Sequence, residues 1–219
     1  MTNELPINEI TETWQSEGPH AGRRAVLIRL GYCNHACAWC AHPGTCTDPD
    51  ATCPPTPVAD IIDRATTAPL YVIAGGEPML HQKHWAFTAL LGGLRPGDVH
   101  METNGSIVPA ESTIALVKHF TVSPKLTDNY DRTSALVAFA DLASEGRAAF
   151  TFTATGAADL DHIANTVDVY RIPETTVWVA PGGDTADTMI KTHRALADTI
   201  RAHGWNTSTR LHTLLAEGE

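Results

Sequence analysis

The chain has 219 residues, of which 43% are hydrophobic and 18% are charged. It is therefore long enough for an apolar core and is not a disordered polyelectrolyte. Its 25 acidic and 15 basic residues give a formal net charge of -10. No basic run exceeds Arg23–Arg24, so the sequence lacks the basic footprint of a nucleic-acid-binding protein and of one attracted to anionic lipid.

The first residues carry neither a positively charged segment nor an apolar stretch, as a secretory signal would. No segment approaches the roughly 20 apolar residues that a membrane span needs. We therefore expect a soluble, cytoplasmic protein with no nucleic acid and no membrane as partner. No linker, charge block or repeat divides the sequence, so residues 1–219 are expected to form a single domain.

Short β-rich segments alternate with helical segments along the chain. Predicted strands cover 25–30, 70–74, 98–102, 119–123, 148–153, 176–179 and 207–215, and predicted helices cover 57–65, 84–91, 111–118, 132–144, 160–167 and 187–203. The first helix is expected to have Thr56 as its N-cap and Pro57 in its first turn. This alternation predicts right-handed βαβ units and a mostly parallel sheet of the α/β class.

Polar and glycine-rich segments follow four predicted strands. They are the cysteine loop after residue 30, Gly75–Gly76–Glu77–Pro78, Glu102–Thr103–Asn104–Gly105 and Ser123–Pro124–Lys125. Parallel sheets place their active sites at the carboxyl ends of their strands. We therefore expect these segments to serve one active site.

The cysteine loop has the spacing C-x3-C-x2-C, formed by Cys33, Cys37 and Cys40. Among five cysteines in a reducing compartment, such a group indicates a metal or catalysis more often than disulfides. Thiolates suit iron–sulfur clusters and zinc, and three of them would leave one iron of a cubane cluster open. The alternative is a zinc site whose fourth ligand comes from Cys46, Cys53, His35 or His42. If Cys46 and Cys53 are not metal ligands, we expect them to be loop or surface thiols.

Trp39, just before the third cysteine, completes a motif that resembles the signature of the radical-SAM superfamily. The resemblance implies that Cys33, Cys37 and Cys40 bind a [4Fe–4S] cluster and that S-adenosyl-L-methionine occupies its open iron. It also implies a cofactor-binding role for residues around the motifs: Trp39, Cys40, Ala41, Gly75, Gly76, Glu77, Pro78, Glu102, Asn104, Ser123 and Lys125. For Trp39 the alternative is a core aromatic, and for Glu102 and Asn104 it is a capping turn.

Nearly the whole chain resembles the 7-carboxy-7-deazaguanine synthase family. The segments that carry this resemblance are Gln15–Gly18, Ala21–Arg23 with Arg29, Gly31–Asn34, Glu102–Gly105, Ser123–Leu126, Pro181–Gly183 and Arg210–Leu215. The resemblance implies a trimmed, partial TIM-barrel-like radical-SAM core with a mostly parallel sheet. It also implies a homodimer and an external electron donor of the flavodoxin or ferredoxin type.

The reaction implied by the family is the ring contraction of 6-carboxy-5,6,7,8-tetrahydropterin to 7-carboxy-7-deazaguanine, with loss of ammonia. Gln15, Glu17 and Arg29 would hold the pterin in the catalytic site, because an arginine fork suits a carboxylate. The other substrate-binding positions implied are Trp14, Ser16, His42 and Ala74. The alternative for Arg29 is a surface ion pair at a strand end.

The sequence departs from the family at three positions near the expected substrate pocket. Ala41 and His42 replace the family's Asp-Thr, whose threonine helps to bind magnesium, and Ala74 replaces a serine or threonine. Magnesium prefers oxygen ligands, so the resemblance implies a magnesium ion while the Ala41–His42 pair argues against it. The alternative functions are a diverged radical-SAM paralogue acting on another pterin or purine precursor, and a zinc-stapled binding protein.

Overall fold

The computed structural model describes residues 3–38, 40, 42–65, 68–94, 98–125 and 133–215. The chain forms two compact units, Met1–Thr13 with Arg24–Phe120 and Trp14–Arg23 with Thr121–Glu219. The short segment Trp14–Arg23 thus belongs with the second half of the chain. Among the described residues, no helix combines the length and apolar character needed to cross a membrane.

The first unit contains a sheet with strand order β3-β1-β2-β4-β5. Its strands are β1 (Glu4–Trp14, whose last residue lies in the second unit), β2 (Arg24–Leu30), β3 (Pro55–Pro57), β4 (Leu70–Gly75) and β5 (Asp98–Thr103). Its helices are α1 (Gly44–Thr47), α2 (Pro49–Thr52), α3 (Val58–Arg64), α4 (Trp85–Gly93) and α5 (Glu111–Leu116), with a 3-10 turn over Pro78–His81. Strand β2 pairs with β4 and β4 with β5 in parallel, whereas β1 pairs with β3 antiparallel.

The second unit contains three parallel strands, β7 (Ala148–Ala154), β8 (Val177–Pro181) and β9 (Asn206–Thr207). Its helices are α6 (Thr133–Ser144), α7 (Ala157–Tyr170), α8 (Ala186–Ala202) and α9 (Leu211–Leu215), with 3-10 turns over Gly18–His20 and Glu174–Thr176. Strand β6 (His119–Val122) begins in the first unit and ends in the second.

The parallel strands are buried in the core because they consist of continuous apolar runs. All residues from Leu70 to Ala74 in β4 are buried, and Phe150 and Phe152 in β7 are fully buried. Strands covered on both faces read as such runs instead of alternating with polar residues. The predicted α/β class with a mostly parallel sheet is therefore confirmed.

Two local predictions are wrong. The strand expected over 207–215 ends at Thr207, and Leu211–Leu215 is helical, because the amide of Leu214 donates to the carbonyl of Arg210. The N-cap of α3 is Pro57, and Thr56 lies in β3, where its hydroxyl donates to the carbonyl of Pro54.

Strand β1 was not expected from the sequence. Its run Glu-Leu-Pro-Ile-Asn-Glu-Ile-Thr-Glu-Thr-Trp buries Leu5 and Ile7 and leaves most other positions partly exposed. A strand near a sheet edge tolerates proline and charge, which hide it from a search for apolar runs. Backbone hydrogen bonds to β3 and β2, its two neighbours in the sheet, make the strand evident.

Candidate active site

The cysteine loop follows β2 directly, and those of its residues that the structure describes form no regular secondary structure before α1. Cys33, Cys37 and Cys40 are each half-buried, and none takes part in a disulfide. The amide of Cys40 donates to the carbonyl of Cys37 at 3.1 Å, and the amide of His35 donates to Cys33 Sγ at 3.4 Å. The three cysteines are therefore partly accessible to solvent. Trp39 and Ala41 lie outside the described residues.

The Gly75–Gly76 turn at the end of β4 packs against the backbone that enters this loop. Gly76 donates its amide to the carbonyl of Leu30 at 3.0 Å, and Glu77 donates its amide to the carbonyl of Tyr32 at 2.8 Å. A Cβ at Gly76 would lie 2.1 Å from the carbonyl oxygen of Tyr32 and 3.0 Å from Cys33 Cβ. Glycine is required at this position because the two segments touch backbone to backbone.

Glu77 is fully buried and accepts three hydrogen bonds from protein groups. The amide of Met79 and the hydroxyl of Thr103 donate to Oε1 at 3.0 Å and 2.8 Å, and the amide of Asn104 donates to Oε2 at 2.7 Å. The carboxylate thus fixes the start of the 3-10 turn at buried Pro78 and the end of β5. The structure gives Glu77 an organising role, whereas the sequence analysis expected it to bind the cofactor.

The end of β5 reaches the cysteine loop through Asn104. Its side chain is 5% exposed, and its Nδ2 donates to Oδ1 of Asn34 at 2.9 Å. Glu102, on the preceding part of β5, is half-buried. Of these two expected ribose-binding residues, Asn104 is therefore tied to the loop between Cys33 and Cys37.

Arg29 and Ala74 are direct neighbours on the parallel strands β2 and β4. The guanidinium of Arg29 donates through Nε to Oε2 of Glu9 at 3.2 Å, and its side chain is only 13% exposed. Arg29 thus forms an ion pair, which was the predicted alternative to substrate binding. Its side chain is largely buried, whereas the alternative placed it at the surface. One edge of its planar fork is used by Glu9.

His42 lies at the far end of the cysteine loop and is exposed. Its carbonyl accepts hydrogen bonds from the amide and hydroxyl of Thr45, at 3.1 Å and 2.8 Å, which starts helix α1. Its backbone therefore shapes the exit of the loop.

Cys53 differs from the expected loop or surface thiol, because it is buried with 2% exposure. It fills the space beside Gly31, where a Cβ would lie 2.7 Å from Cys53 Sγ. The side chain of Cys46 lies outside the described part of the structure. Cys53 thus has a packing role beneath the start of the cysteine loop.

In the second unit, the segment Trp14–Gly18 is held by backbone hydrogen bonds. Gln15 donates its amide to Arg23 and accepts from Gly22, while the carbonyl of Ser16 accepts from Leu211. The side chain of Gln15 is 3% exposed and its Nε2 lies 3.5 Å from the carbonyl of Glu17, whereas Trp14 is 53% exposed. The polar groups of Gln15 and Glu17 are therefore fixed on a rigid turn.

Glu17 faces Arg210, a residue to which the sequence analysis gave no role. Arg210 Nε lies 3.6 Å from Glu17 Oε1, and Arg210 Nη2 donates to Oγ1 of Thr153 at 2.7 Å. Burial raises the pKa of the Glu17 carboxyl, while Arg210 and then Lys125 oppose that rise. The only sequence signal for Arg210 was its place in the familiar segment Arg210–Leu215.

Ser123 and Lys125 follow β6 and are half-buried. Lys125 Nζ donates to Oγ of Ser123 at 3.2 Å. The ammonium also acts electrostatically on Glu17. The structure thus connects the Ser-Pro-Lys segment with the Gln15–Glu17 turn through charge.

The donor set of the cysteine loop fits an iron–sulfur cluster. Its three thiols are soft ligands on one loop, and their residues are partly exposed. Within the described ranges, no three histidine, cysteine or acidic side chains converge on a single metal position. A cubane cluster does not need such convergence, because each thiolate binds a different iron.

No protein-family model matches the chain. A 7-carboxy-7-deazaguanine synthase from Pyrobaculum aerophilum is 28% identical over 218 residues, covering 97% of this chain and 95% of the relative. The synthase from Halobacterium salinarum is 29% identical and covers 96% of this chain and 90% of the relative. The one from Rhodospirillum rubrum is 36% identical over 137 residues, or 58% of this chain.

A solved structure shares the fold. The crystal structure of QueE from Escherichia coli superposes with a TM-score of 0.71 over 95% of both chains, at 23% sequence identity. The similarity confirms the expected partial-barrel α/β core.

Proposed function

We propose that this chain, which belongs to the family of 7-carboxy-7-deazaguanine synthases, contracts the ring of 6-carboxy-5,6,7,8-tetrahydropterin to give 7-carboxy-7-deazaguanine and ammonia. The observation that carries the proposal is the packing of the Gly75–Gly76 turn against Tyr32 and Cys33. This packing joins the two cofactor motifs of a radical-SAM enzyme at the carboxyl ends of adjacent parallel strands, where such sheets hold their active sites.

Cys33, Cys37 and Cys40 would hold the [4Fe–4S] cluster. When bound, the cluster and S-adenosyl-L-methionine supply the electron and the carbon radical that begin the ring contraction. Around them, Gly76 lets the β4 turn approach closely, and Ser123 and Lys125 offer a hydroxyl and a cation to the polar parts of the cofactor. Trp39 and Ala41 remain cofactor-binding residues by resemblance alone.

The pterin would be recognised by polar side chains. Glu17, as a carboxylate, can accept two N–H groups from the amino-pyrimidinone edge, and Gln15 can add an amide contact. This recognition requires ionised Glu17, and Arg210 and Lys125 favour that form against the effect of burial. Arg29 would bind the substrate carboxylate with the part of its guanidinium that Glu9 does not engage.

A diverged paralogue with another pterin or purine substrate is the second candidate. It is favoured by Ala74, which stands beside Arg29 in register and offers no hydroxyl to a ligand. Ala74 lies on β4 next to Arg29 on β2, and we assign these two strands to substrate binding. The cofactor motifs of the chain are complete.

The remaining partners are proposed from the family. We infer a cytoplasmic homodimer, a single functional domain, and an electron donor of the flavodoxin or ferredoxin type. The binding partner in catalysis is a small pterin.

The test is an anaerobic assay of the reconstituted protein with reductant, S-adenosyl-L-methionine and the carboxylated tetrahydropterin, read by mass spectrometry. We expect 7-carboxy-7-deazaguanine from the unaltered chain and from Cys53→Ala, whose buried thiol lies beside Gly31 and 3.4 Å from the hydroxyl of Thr52. We expect neither iron nor product from the variant with Cys33, Cys37 and Cys40 all changed to alanine. Formation of 5′-deoxyadenosine alone would support the paralogue, and a colourless zinc protein would contradict radical chemistry.

A further inference from the structure

Asn34 lies between the first two cysteines of the loop and forms a closed set of side-chain hydrogen bonds with Asn104 and Ser106. Asn104 Nδ2 donates to Asn34 Oδ1 at 2.9 Å, and Asn34 Nδ2 donates to Ser106 Oγ at 2.8 Å. The Ser106 hydroxyl in turn donates to Asn104 Oδ1 at 2.6 Å. These three residues are called the Asn34 bridge below.

The bridge is anchored in the core of the first unit through Asn104. The amide of Asn104 donates to Oε2 of fully buried Glu77 at 2.7 Å, and the amide of Ser106 donates to Asn104 Oδ1 at 2.9 Å. Glu77 also accepts from Thr103 at the end of β5. A continuous chain of hydrogen bonds therefore connects the cysteine loop with the ends of β4 and β5.

The cysteine loop has no helix or strand of its own, so its shape depends on such contacts. Asn34 is itself exposed, and the oxygen and the nitrogen of its side-chain amide both take part in the bridge. An exposed asparagine that only served a local turn would bond to its own neighbouring backbone. Asn34 instead bonds to the side chains of Asn104 and Ser106, which lie 70 and 72 positions further along the chain.

We propose that Asn34 is a positioning residue that orders the segment from Cys33 to Cys37 before the cluster is bound. The proposal rests on the proposed function, because it assumes that these cysteines hold a cluster. Ordering the loop in advance reduces the conformational entropy lost when the ligands engage. We therefore expect cluster retention to depend on Asn34, although Asn34 is not a ligand of the cluster.

The experiment compares the unaltered chain with Asn34→Ala, Asn34→Asp and the control Asn8→Ala. Asn8 is a matched control because it lies in the same unit and its Nδ2 donates to the carbonyl of Thr52 at 3.0 Å. Aspartate at position 34 keeps the acceptor for Asn104 but loses the donor to Ser106, whose hydroxyl proton is already donated to Asn104. Amide hydrogen exchange of cluster-free protein is measured for peptides containing residues 33–38 and 104–106.

In Asn34→Ala we expect exchange of both peptides to be at least threefold faster, whereas Asn8→Ala should match the unaltered chain. After reconstitution, Asn34→Ala should lose iron and sulfide several-fold faster. The change that S-adenosyl-L-methionine produces in the electron paramagnetic resonance signal should also be reduced. Asn34→Asp, which keeps one of the two side-chain hydrogen bonds of residue 34, should fall between the unaltered chain and Asn34→Ala in both measurements.

Two failures are distinguishable. If the unaltered chain takes up no iron–sulfur cluster, the proposed function fails, whatever the exchange data show. If the unaltered chain holds its cluster and Asn34→Ala exchanges, retains iron and responds to S-adenosyl-L-methionine as the control does, the positioning role is overturned. Equal effects in Asn8→Ala would also overturn it, since they would reflect the general loss of an asparagine hydrogen bond.

Discussion

Arg210 and Glu17 lie 3.6 Å apart, with side chains 26% and 24% exposed. Such a half-buried pair changes protonation more than stability, because water still screens part of the attraction. Burial favours the neutral acid of Glu17 and the guanidinium favours the carboxylate. The balance between the two decides the pH at which Glu17 can accept hydrogen bonds from a substrate.

Replacing Arg210 by glutamine should move the acid limb of kcat/KM to higher pH. The sign follows from the removal of a cation, which raises the pKa of Glu17 further, so the carboxylate is lost at a higher pH as the solution is acidified. KM should rise most on the acid side of the profile. Steady-state kinetics from pH 6 to 9 would measure this shift.

Arg201→Gln is the control for this variant, because Arg201 pairs with Asp198 at an exposed helix end, at 2.9 Å. Its profile should match that of the unaltered chain. An unchanged acid limb in Arg210→Gln would contradict the assigned role of Glu17.

The pair Ala41–His42 tests the metal requirement. His42 is exposed, and Ala41 lies outside the described residues. The double variant Ala41→Asp with His42→Thr introduces oxygen ligands, which magnesium prefers. We expect magnesium to stimulate the double variant several-fold more than the unaltered chain, measured as product formed with the metal and with a chelator. Equal responses in both proteins would contradict a magnesium site at this position.

Local sequence signals place Cys33, Cys37 and Cys40 on one loop and Gly76 in a short motif, and the structure packs Gly76 against Cys33. Their roles as cluster and cofactor ligands stay predictions from the family resemblance. Arg210 was missed because its significance appears only where the two ends of the chain meet at Glu17. Asn34 was read only as part of a motif, since its partners Asn104 and Ser106 follow a different strand.

At the level of elements, local pattern predicted the buried parallel strands and failed at the polar ends of the chain. Leu70–Gly75 is an unbroken apolar run and was found, whereas the charged strand Glu4–Trp14 was not. The segment after Thr207 was taken for a strand because it is rich in threonine and leucine. Helix Leu211–Leu215 forms there with its first amide bonded to Ser16, a tertiary contact that no local pattern reports.

The packing contact between the end of β4 and the cysteine loop gives a further prediction. Gly76→Ala would place a Cβ 2.1 Å from the carbonyl oxygen of Tyr32, and backbone cannot yield as a flexible side chain can. We expect the free energy of unfolding to fall by about 1–3 kcal/mol, which would lower the Tm by about 5 °C. We also expect iron to be bound less tightly. Thermal unfolding followed by circular dichroism, with iron analysis, measures both effects.

Gly92→Ala is the matched control, because nothing lies within 4 Å of a Cβ at this position in α4. Alanine is favoured over glycine in a helix by about 1 kcal/mol, so its Tm should be equal or higher. A Gly76→Ala protein as stable as Gly92→Ala would show that the turn and the loop are not tightly packed.

For the whole molecule, the sequence predicts one domain although the chain forms two compact units. The chain passes from one unit to the other at Thr13–Trp14, Arg23–Arg24 and Phe120–Thr121. All three passages lie within or beside strands, since β1 ends at Trp14, β2 begins at Arg24 and β6 spans His119–Val122. Neither unit is a continuous piece of sequence with its own linker, as separable domains usually are.

We therefore expect a single unfolding transition. Hydrogen exchange in increasing urea should give one midpoint for peptides from Leu70–Gly75 in the first unit and Ala148–Ala154 in the second, because loss of β1 or β6 removes residues from both units at once. Gly76→Ala, which alters only the first unit, should lower both midpoints equally. Separate midpoints, or a shift confined to the first peptide, would show that the units unfold independently and that the chain has two domains.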